Sequence, residues 1–460
     1  MFRTGKFLAG ILILFQTVCA SAQAGAGWKQ KLHEYLLIQQ QLTDFNGIVV
    51  VDMPGEIVTD TIGFSCFEHK AFVQPNTVFP LASITKQFTA VMICKAVQDG
   101  KMSFTDPLGK FIPEIRESWR SITPGHLLSH TSGIPHNEGI PDYWQVKSRL
   151  SLTDSAALHE ILSMPLLFKP GTSTQYSSPG YFLLAVILER LYNTSFETLL
   201  KRQILAPLNM PSSGIISSRQ IIPQFSKGYE KRSGNLHPAP YRDPSLMKGS
   251  GDAYSSAPDL LRWNRSWMDS SLWDRQTREL IFSVHNPASV NGHNDPYGYG
   301  WFLRQPAGHL PFAAYTGGGS PGCSAISVIY PDKRISIIIL SNITGVPVNQ
   351  LWSDIEKIIF DQPFELPRVQ SEQKITASDL SLVTGKYISD GTVLTIFRNG
   401  EQLYAKLGSN PAFEIFKAGD ARFFGKKVSV ELFFLTGPQG NLRSVSVQGR
   451  GRSITFIPAL

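Results

Sequence analysis

Cysteine is scarce in this 460-residue chain, with four residues in all, and charged residues make up only 17%. Four cysteines cannot build the disulfide framework of a small secreted scaffold, while an apolar fraction of 42% is enough for a buried core. Lys and Arg are dispersed instead of blocked, so the formal charge of +7 offers no basic stripe and a nucleic-acid partner is not expected. Glycine and proline are scattered, which excludes low-complexity architectures. Past residue 22 no run reaches the roughly 18 to 20 apolar residues that a membrane-spanning helix needs. His126 and His130 have the i, i+4 spacing of a metal pair, but Leu127 stands where a metalloprotease motif needs Glu, and no third ligand accompanies them. No metal site is expected.

What is present begins with an export signal. Arg3 and Lys6 precede the apolar run Phe7 to Val18, and Ala20-Ser21-Ala22 supplies the small residues of a cleavage site. Residues 1–22 therefore read as a signal peptide, which predicts a periplasmic or extracellular protein with no integral membrane segment after cleavage. Cleavage removes two positive charges and Cys19, leaving a charge of +5 and three cysteines, Cys66, Cys94 and Cys323. At most one disulfide can follow.

Length favours two domains or one large one with an appendage. Trp28 to Gln41 is helical in pattern, Asn46 to Val51 and Ile57 to Ser65 read as adjacent strands, and a helical middle runs from Ser83 to about Met268. Ser324 to Tyr330 and Arg334 to Ser341 form a hairpin, followed by an amphipathic helix at Val348 to Phe360. Strand pairs at both ends of a helical block imply one sheet closed by both termini, an α+β domain over residues 28–362. A polar linker over 363–379 separates it from short alternating strands over 380–460, which predict a small antiparallel β-barrel.

Ser-x-x-Lys occurs at Ser83/Lys86, Ser245/Lys248 and Ser371/Lys374, and only the first opens a convincing helix, with Ile84, Phe88, Val91, Met92 and Val97 as its apolar stripe. One turn apart, a Lys amine of lowered pKa can take the proton of a Ser hydroxyl, and a helix N-terminus favours negative charge developing nearby. The segment Phe79-Pro80-Leu81-Ala82-Ser83-Ile84-Thr85-Lys86 resembles the nucleophile segment of the serine β-lactamase and penicillin-binding-protein (DD-peptidase) superfamily, in its class C and esterase-like branch. Asp106-Pro107-Leu108, Ser129-His130-Thr131-Ser132-Gly133, Lys169-Pro170-Gly171-Thr172 and Tyr297-Gly298-Tyr299-Gly300-Trp301 follow in the order that family uses.

The resemblance implies a fold and a site. The family's Tyr-x-Asn motif falls on Tyr176-Ser177-Ser178 in preference to Tyr254-Ser255-Ser256, making Tyr176 the proton shuttle and putting Ser178 in place of the Asn. The strand motif falls on Tyr315-Thr316-Gly317-Gly318-Gly319 in either of two registers: residue type puts Tyr315 first, whereas counting back from Pro321-Gly322 puts Thr316 where relatives carry His. Either way the usual cation is missing, which weakens the expectation of a carboxylate-bearing substrate. The N–H of Gly318 or Gly319 is expected to complete an oxyanion hole with that of Ser83. A competing Gly-x-Ser-x-Gly elbow at Ser320 is excluded because the next residue, Pro321, has no N–H to give.

The expected activity is acyl transfer from a small ester, amide or peptide through an acyl-enzyme, with no metal or organic cofactor. The alternative is a β-lactamase-fold binding protein of the cell envelope with weak or lost catalysis.

Overall fold

The structure is a computed structural model that describes residues 27–459 apart from 233, 270, 271, 368, 370, 371, 401, 427, 429, 438–441, 450 and 451. The signal segment and Ser371 lie outside the described residues. The chain divides into two compact units, one made of residues 46–230 and 236–356, the other of 357–460, 231–235 and the residues before Asn46.

In the larger unit six strands form an antiparallel sheet: β1 (Gly47–Met53), β2 (Glu56–Ile62), β3 (Phe302–Arg304), β4 (Ala313–Ser320), β5 (Cys323–Tyr330) and β6 (Ile335–Ser341). Their order is β3-β4-β5-β6-β1-β2, so strands from both ends of the unit meet where β6 pairs with β1, Val50 opposite Ile338. Strands β5 and β6 are buried along their whole length, as strands covered on both faces must be. Helix Ala257–Met268 covers one face, where Asn264 bridges Ser336 (2.8 Å) and Ser327 (2.9 Å). Helix Val348–Ile359 covers the other, where Trp352 Nε1 donates to the Tyr330 hydroxyl at 2.7 Å.

Helix Thr85–Gln98 is buried on nearly every side, as an interior helix with apolar residues all round should be. Phe88 meets Trp263 edge-on at 4.7 Å, and Trp263 Nε1 donates to Gln87 at 2.7 Å, which ties this helix to the one covering the sheet. The middle of the unit is less helical than its sequence suggested. Short 3-10 turns and small sheets interrupt it, among them strand Ala253–Ser256 paired with Val78–Pro80.

In the smaller unit, residues 27–43 are helical, and Lys31 Nζ donates to the Phe364 carbonyl at 2.8 Å. Eight strands close a barrel: β7 (Gly385–Ser389), β8 (Thr392–Asn399), β9 (Gln402–Leu407), β10 (Phe413–Gly419), β11 (Arg422–Gly425), β12 (Val430–Thr436), β13 (Leu442–Gly449) and β14 (Arg452–Pro458). Closure comes where Ile388 meets Ile457, and alternate residues such as Leu394, Ile396, Leu403, Ile415, Leu432, Val445 and Phe456 fill the interior. Val383, read from the sequence as strand, instead ends helix Ala377–Val383, which starts inside the segment read as a linker. Thr376 caps that helix and Asp379 returns the bond, a capping box that a polar linker conceals.

Asp379 also receives the Lys417 ammonium at 2.8 Å, with both side chains nearly buried. Removing one partner of such a pair leaves the other charge stranded, at a cost of about 3 kcal/mol or more. Asp379→Ala is therefore expected to speed amide hydrogen exchange in β10 about a hundredfold. Asp379→Leu combined with Lys417→Met should restore most of the protection. Exchange is the suitable measurement because the barrel strands themselves contain no tryptophan.

Candidate active site

Ser83 sits in a 3-10 turn, Ala82–Ile84, immediately ahead of helix Thr85–Gln98 and not within its first α-turn. Lys86, in the first turn of that α-helix, stands three residues beyond Ser83 on the same side, which brings its Nζ to 3.3 Å from Ser83 Oγ. The cause lies in the chain before it. Leu81 N–H donates to the Ala253 carbonyl (2.9 Å), and Ala82 is held at φ +45°, a left-handed conformation costing a non-glycine residue about 1 kcal/mol or more. Thr85 locks the turn, its hydroxyl donating to Ala82 O (2.7 Å) and accepting from Ala253 N–H (3.1 Å).

Three of the expected residues converge here. The Tyr176 hydroxyl donates to Ser83 Oγ at 2.8 Å, and Lys86 Nζ reaches the same oxygen at 3.3 Å. Lys86 spends its other hydrogens on Ser178 Oγ (3.1 Å) and the Ser250 carbonyl (2.8 Å), and lies 4.8 Å from the Tyr176 ring centre. It is completely buried and forms no ion pair among the described residues. Desolvation, with the nearby Arg242 charge adding to it, drives the Lys86 pKa well below the ordinary lysine value, and Asp252 opposes this only in part. Burial also raises the Asp252 pKa to about 7, so that carboxyl is a weak counter-charge. Tyr176 goes the other way: burial raises its pKa, so the phenol keeps its proton. A neutral amine beside a protonated phenol can take and pass a proton; a phenolate base is not what this environment favours.

Two histidines hold Tyr176 in place. His130, itself at φ +60°, accepts the Ser177 N–H on Nδ1 (3.2 Å) and packs 4.4 Å from the Tyr176 ring. His136 accepts the Ser178 N–H (3.2 Å) and meets the same ring edge-on at 5.4 Å. Desolvation lowers both imidazole pKa values, that of His136 to about 4, which keeps the accepting nitrogens unprotonated. His126 uses Nδ1 to accept the Thr123 N–H. Nothing in the sequence pattern marks His136, because its partner lies 42 residues away and the contact is to backbone.

Strand β4 brings some of its expected residues to Ser83 and turns others away. Thr316 and Gly318 face the nucleophile helix: Thr316 Oγ1 donates to the Gly300 carbonyl (2.7 Å), and a Cβ on Gly318 would lie 2.3 Å from Leu81 O and 3.2 Å from Ser83 N. Gly318 is therefore a glycine because the two backbones touch. Tyr315 points to the opposite face, against Trp352, with its hydroxyl donating to Asp295 at 2.9 Å, so it is not brought to the site. Gly317 shares that opposite parity, and Gly319 is open to solvent. Strand β3 pairs with β4 only as far as Tyr315, so no strand among the described residues covers the outer edge of Thr316 to Ser320.

The rival motifs take structural parts. Ser245 Oγ donates to the Leu150 carbonyl, and Lys248 is paired with Glu189 and Asp154. Ser256 caps helix Ala257–Met268, and Ser320 pairs with Cys323 at the β4–β5 turn. Cys66, Cys94 and Cys323 are all free.

The comparisons with known proteins agree with this geometry. The family model described as Beta-lactamase matches residues 37–356. Penicillin-binding protein 4* of Bacillus subtilis (strain 168) is 28% identical over 420 residues, covering 85% of this chain and 90% of that protein. The octameric penicillin-binding protein homologue from Pyrococcus abyssi superposes with a TM-score of 0.66 at 22% identity, covering 93% of this chain and 99% of that one. The D-amino acid amidase from Ochrobactrum anthropi SV3, solved with L-phenylalanine amide, gives a TM-score of 0.63 at 20% identity, over 72% and 99% of the two chains. At such identities the likeness of the solved structures is one of fold.

The contact between β4 and the nucleophile turn yields a test. Gly318→Ala must push the two backbones apart, and a displacement of this size near a reacting atom costs about a hundredfold in rate. Labelling of Ser83 by a fluorophosphonate should slow by that factor while the melting temperature falls only slightly.

Proposed function

Because the chain belongs to the Beta-lactamase family, we propose that it is an exported serine hydrolase that opens small esters, amides or peptides through an acyl-enzyme on Ser83. The observation carrying this reading is the single oxygen, Ser83 Oγ, reached by both Tyr176 (2.8 Å) and a buried, unpaired Lys86 (3.3 Å). In the first step Ser83 Oγ bonds to the substrate carbonyl carbon as neutral Lys86 takes its proton. The oxyanion is received by the Ser83 N–H and that of Gly318 or Gly319 on the open edge of β4. Tyr176 relays the proton to the departing alcohol or amine, and water then cleaves the acyl ester by the reverse relay. The three side chains need no metal or organic group for this sequence.

The positions of the departures from the family pattern bear on substrate. Ser178 accepts from Lys86, but the residue is 1% exposed and presents no amide to a ligand. Thr316 spends its hydroxyl on Gly300. Neither loss touches the proton relay, so a binding-only role for the protein finds less support than hydrolysis. Export rests on the signal segment, and no helix among the described residues is long and apolar enough to cross a membrane.

Intact-mass measurement after fluorophosphonate treatment should show one adduct on the mature wild type and none on Ser83→Ala, with ester turnover lower by about a thousandfold or more. No adduct on folded wild type would sink the proposal. The base also sets a pH signature. Lys86 must be neutral to act and its pKa is depressed, so kcat/KM should rise with pH through one ionisation well below the ordinary lysine range. In Lys86→Gln that limb should vanish along with most of the activity.

A further inference from the structure

Between the 3-10 turn Pro244–Met247 and strand Ala253–Ser256 the chain makes a tight bend through residues 248–252. The N–H groups of Ser250 and Gly251 both donate to the Met247 carbonyl at 2.9 Å. Gly249 takes a left-handed φ of +64° and has no room for a side chain, since a Cβ there would stand 2.7 Å from that of Ala185. Asp252 closes the bend: its Oδ1 accepts the Gly249 N–H at 3.0 Å, and its own carbonyl accepts the Ile216 N–H at 2.7 Å. The residue is buried and forms no ion pair among the described residues; Lys248, on the same bend, pairs instead with Glu189 (2.9 Å) and Asp154 (2.6 Å).

Both flanks of Asp252 are tied to the nucleophile. Before it, the Gly249 carbonyl accepts from Thr89 Oγ1 (2.6 Å) and the Ser250 carbonyl from Lys86 Nζ (2.8 Å). After it, Ala253 N–H donates to Thr85 Oγ1 (3.1 Å), and the Ala253 carbonyl accepts the Leu81 N–H (2.9 Å). A group that fixes this bend thereby fixes an acceptor of the base.

We propose that Asp252 is a positioning residue for the base: by closing the bend its carboxylate holds the Ser250 carbonyl against Lys86, and as a buried charge beside the nucleophile helix it sets the pH range over which that amine works. The inference rests on the serine-hydrolase reading for the role of Lys86. Burial, and after it the Arg242 charge, favours the neutral amine, and Asp252 works the other way. The remaining groups that face the amine carry no charge, because burial keeps Tyr176 and Tyr181 protonated and His130 and His136 neutral. On Asp252 itself burial is the leading influence; Lys248 favours its ionised form and Glu189 opposes it. A carboxylate favours an ammonium nearby, so removing the charge makes Lys86 neutral at lower pH.

The rate at which a fluorophosphonate labels Ser83, followed against pH, reads the effect. Asp252→Asn keeps an oxygen for the Gly249 N–H and removes the charge. Its rising limb should lie about one pH unit below that of wild type, making it about tenfold faster at the acid end and slower on the plateau, where its base is weaker. A damaged fold would slow labelling at every pH. Asp252→Ala gives up the oxygen as well and should fall about tenfold below Asp252→Asn on the plateau. A limb that stays in place or moves up in Asp252→Asn overturns the inference, and equal plateaus in the two variants overturn its account of the bend. NMR of wild type carrying 15N and [ε-13C]lysine needs neither an Asp252 variant nor turnover. The Gly249 amide proton and the Lys86 carbon, identified by its absence in Lys86→Gln, should shift at a common midpoint as Asp252 ionises. A Lys86 signal blind to that midpoint overturns the inference. If Ser83 takes no label at any pH the hydrolase reading fails, while this titration still decides the part played by Asp252.

Discussion

The withdrawal of the Lys86 ammonium from water governs the rest of the site. A buried lysine with no ion pair would be a defect in most cores, since the charged form pays for every lost water. Here three neutral acceptors, Ser83 Oγ, Ser178 Oγ and the Ser250 carbonyl, satisfy its hydrogens without supplying a counter-charge. The geometry is thereby kept while the proton is made easy to lose. The same burial works on Tyr176 in the opposite sense, so the two groups are driven apart in acidity by one environment.

The surrounding structure prepares that environment from four distant stretches of chain. Thr85 and Ala253 fix the turn, Ser250 closes the floor, His130 and His136 hold the backbone after Tyr176, and β4 forms the wall. Each of these contacts is short and directional, and most involve backbone. Such a site is insensitive to surface variation and sensitive to small shifts of the main chain, in keeping with an interior packed at crystal-like density.

Much of this was legible in the sequence because periodicity reports burial. The hairpin β5–β6, the helix after Ser83 and the alternating barrel strands all carry apolar patterns that match their observed faces. The family resemblance drawn from the ordered segments was borne out. Strand β10 is poorly marked in the sequence because its inward positions run Phe413, Ile415, Lys417, and the lysine breaks the pattern that a buried partner, Asp379, makes tolerable. The orientation of β4 was also hidden, since three glycines in a row carry no polarity to reveal a face; only the hydroxyl of Thr316 and the ring of Tyr315, on opposite sides, decide it.

The run Gly317-Gly318-Gly319 has a consequence for how the molecule holds its shape in time. Glycine has more freedom to lose on ordering than any other residue, about 0.5–1 kcal/mol more than alanine at each position. Along its outer edge this stretch has no neighbouring strand among the described residues, so its order is borrowed from β5 behind it and from Leu81 and Ser83 beside it. This stretch of β4 and the turn bearing the nucleophile therefore depend on each other for position. The stretch of β4 beside the nucleophile turn is thus held by fewer partners than the sheet behind it, and a substitution that disturbs it reaches the reacting oxygen before it reaches the sheet or its covering helices.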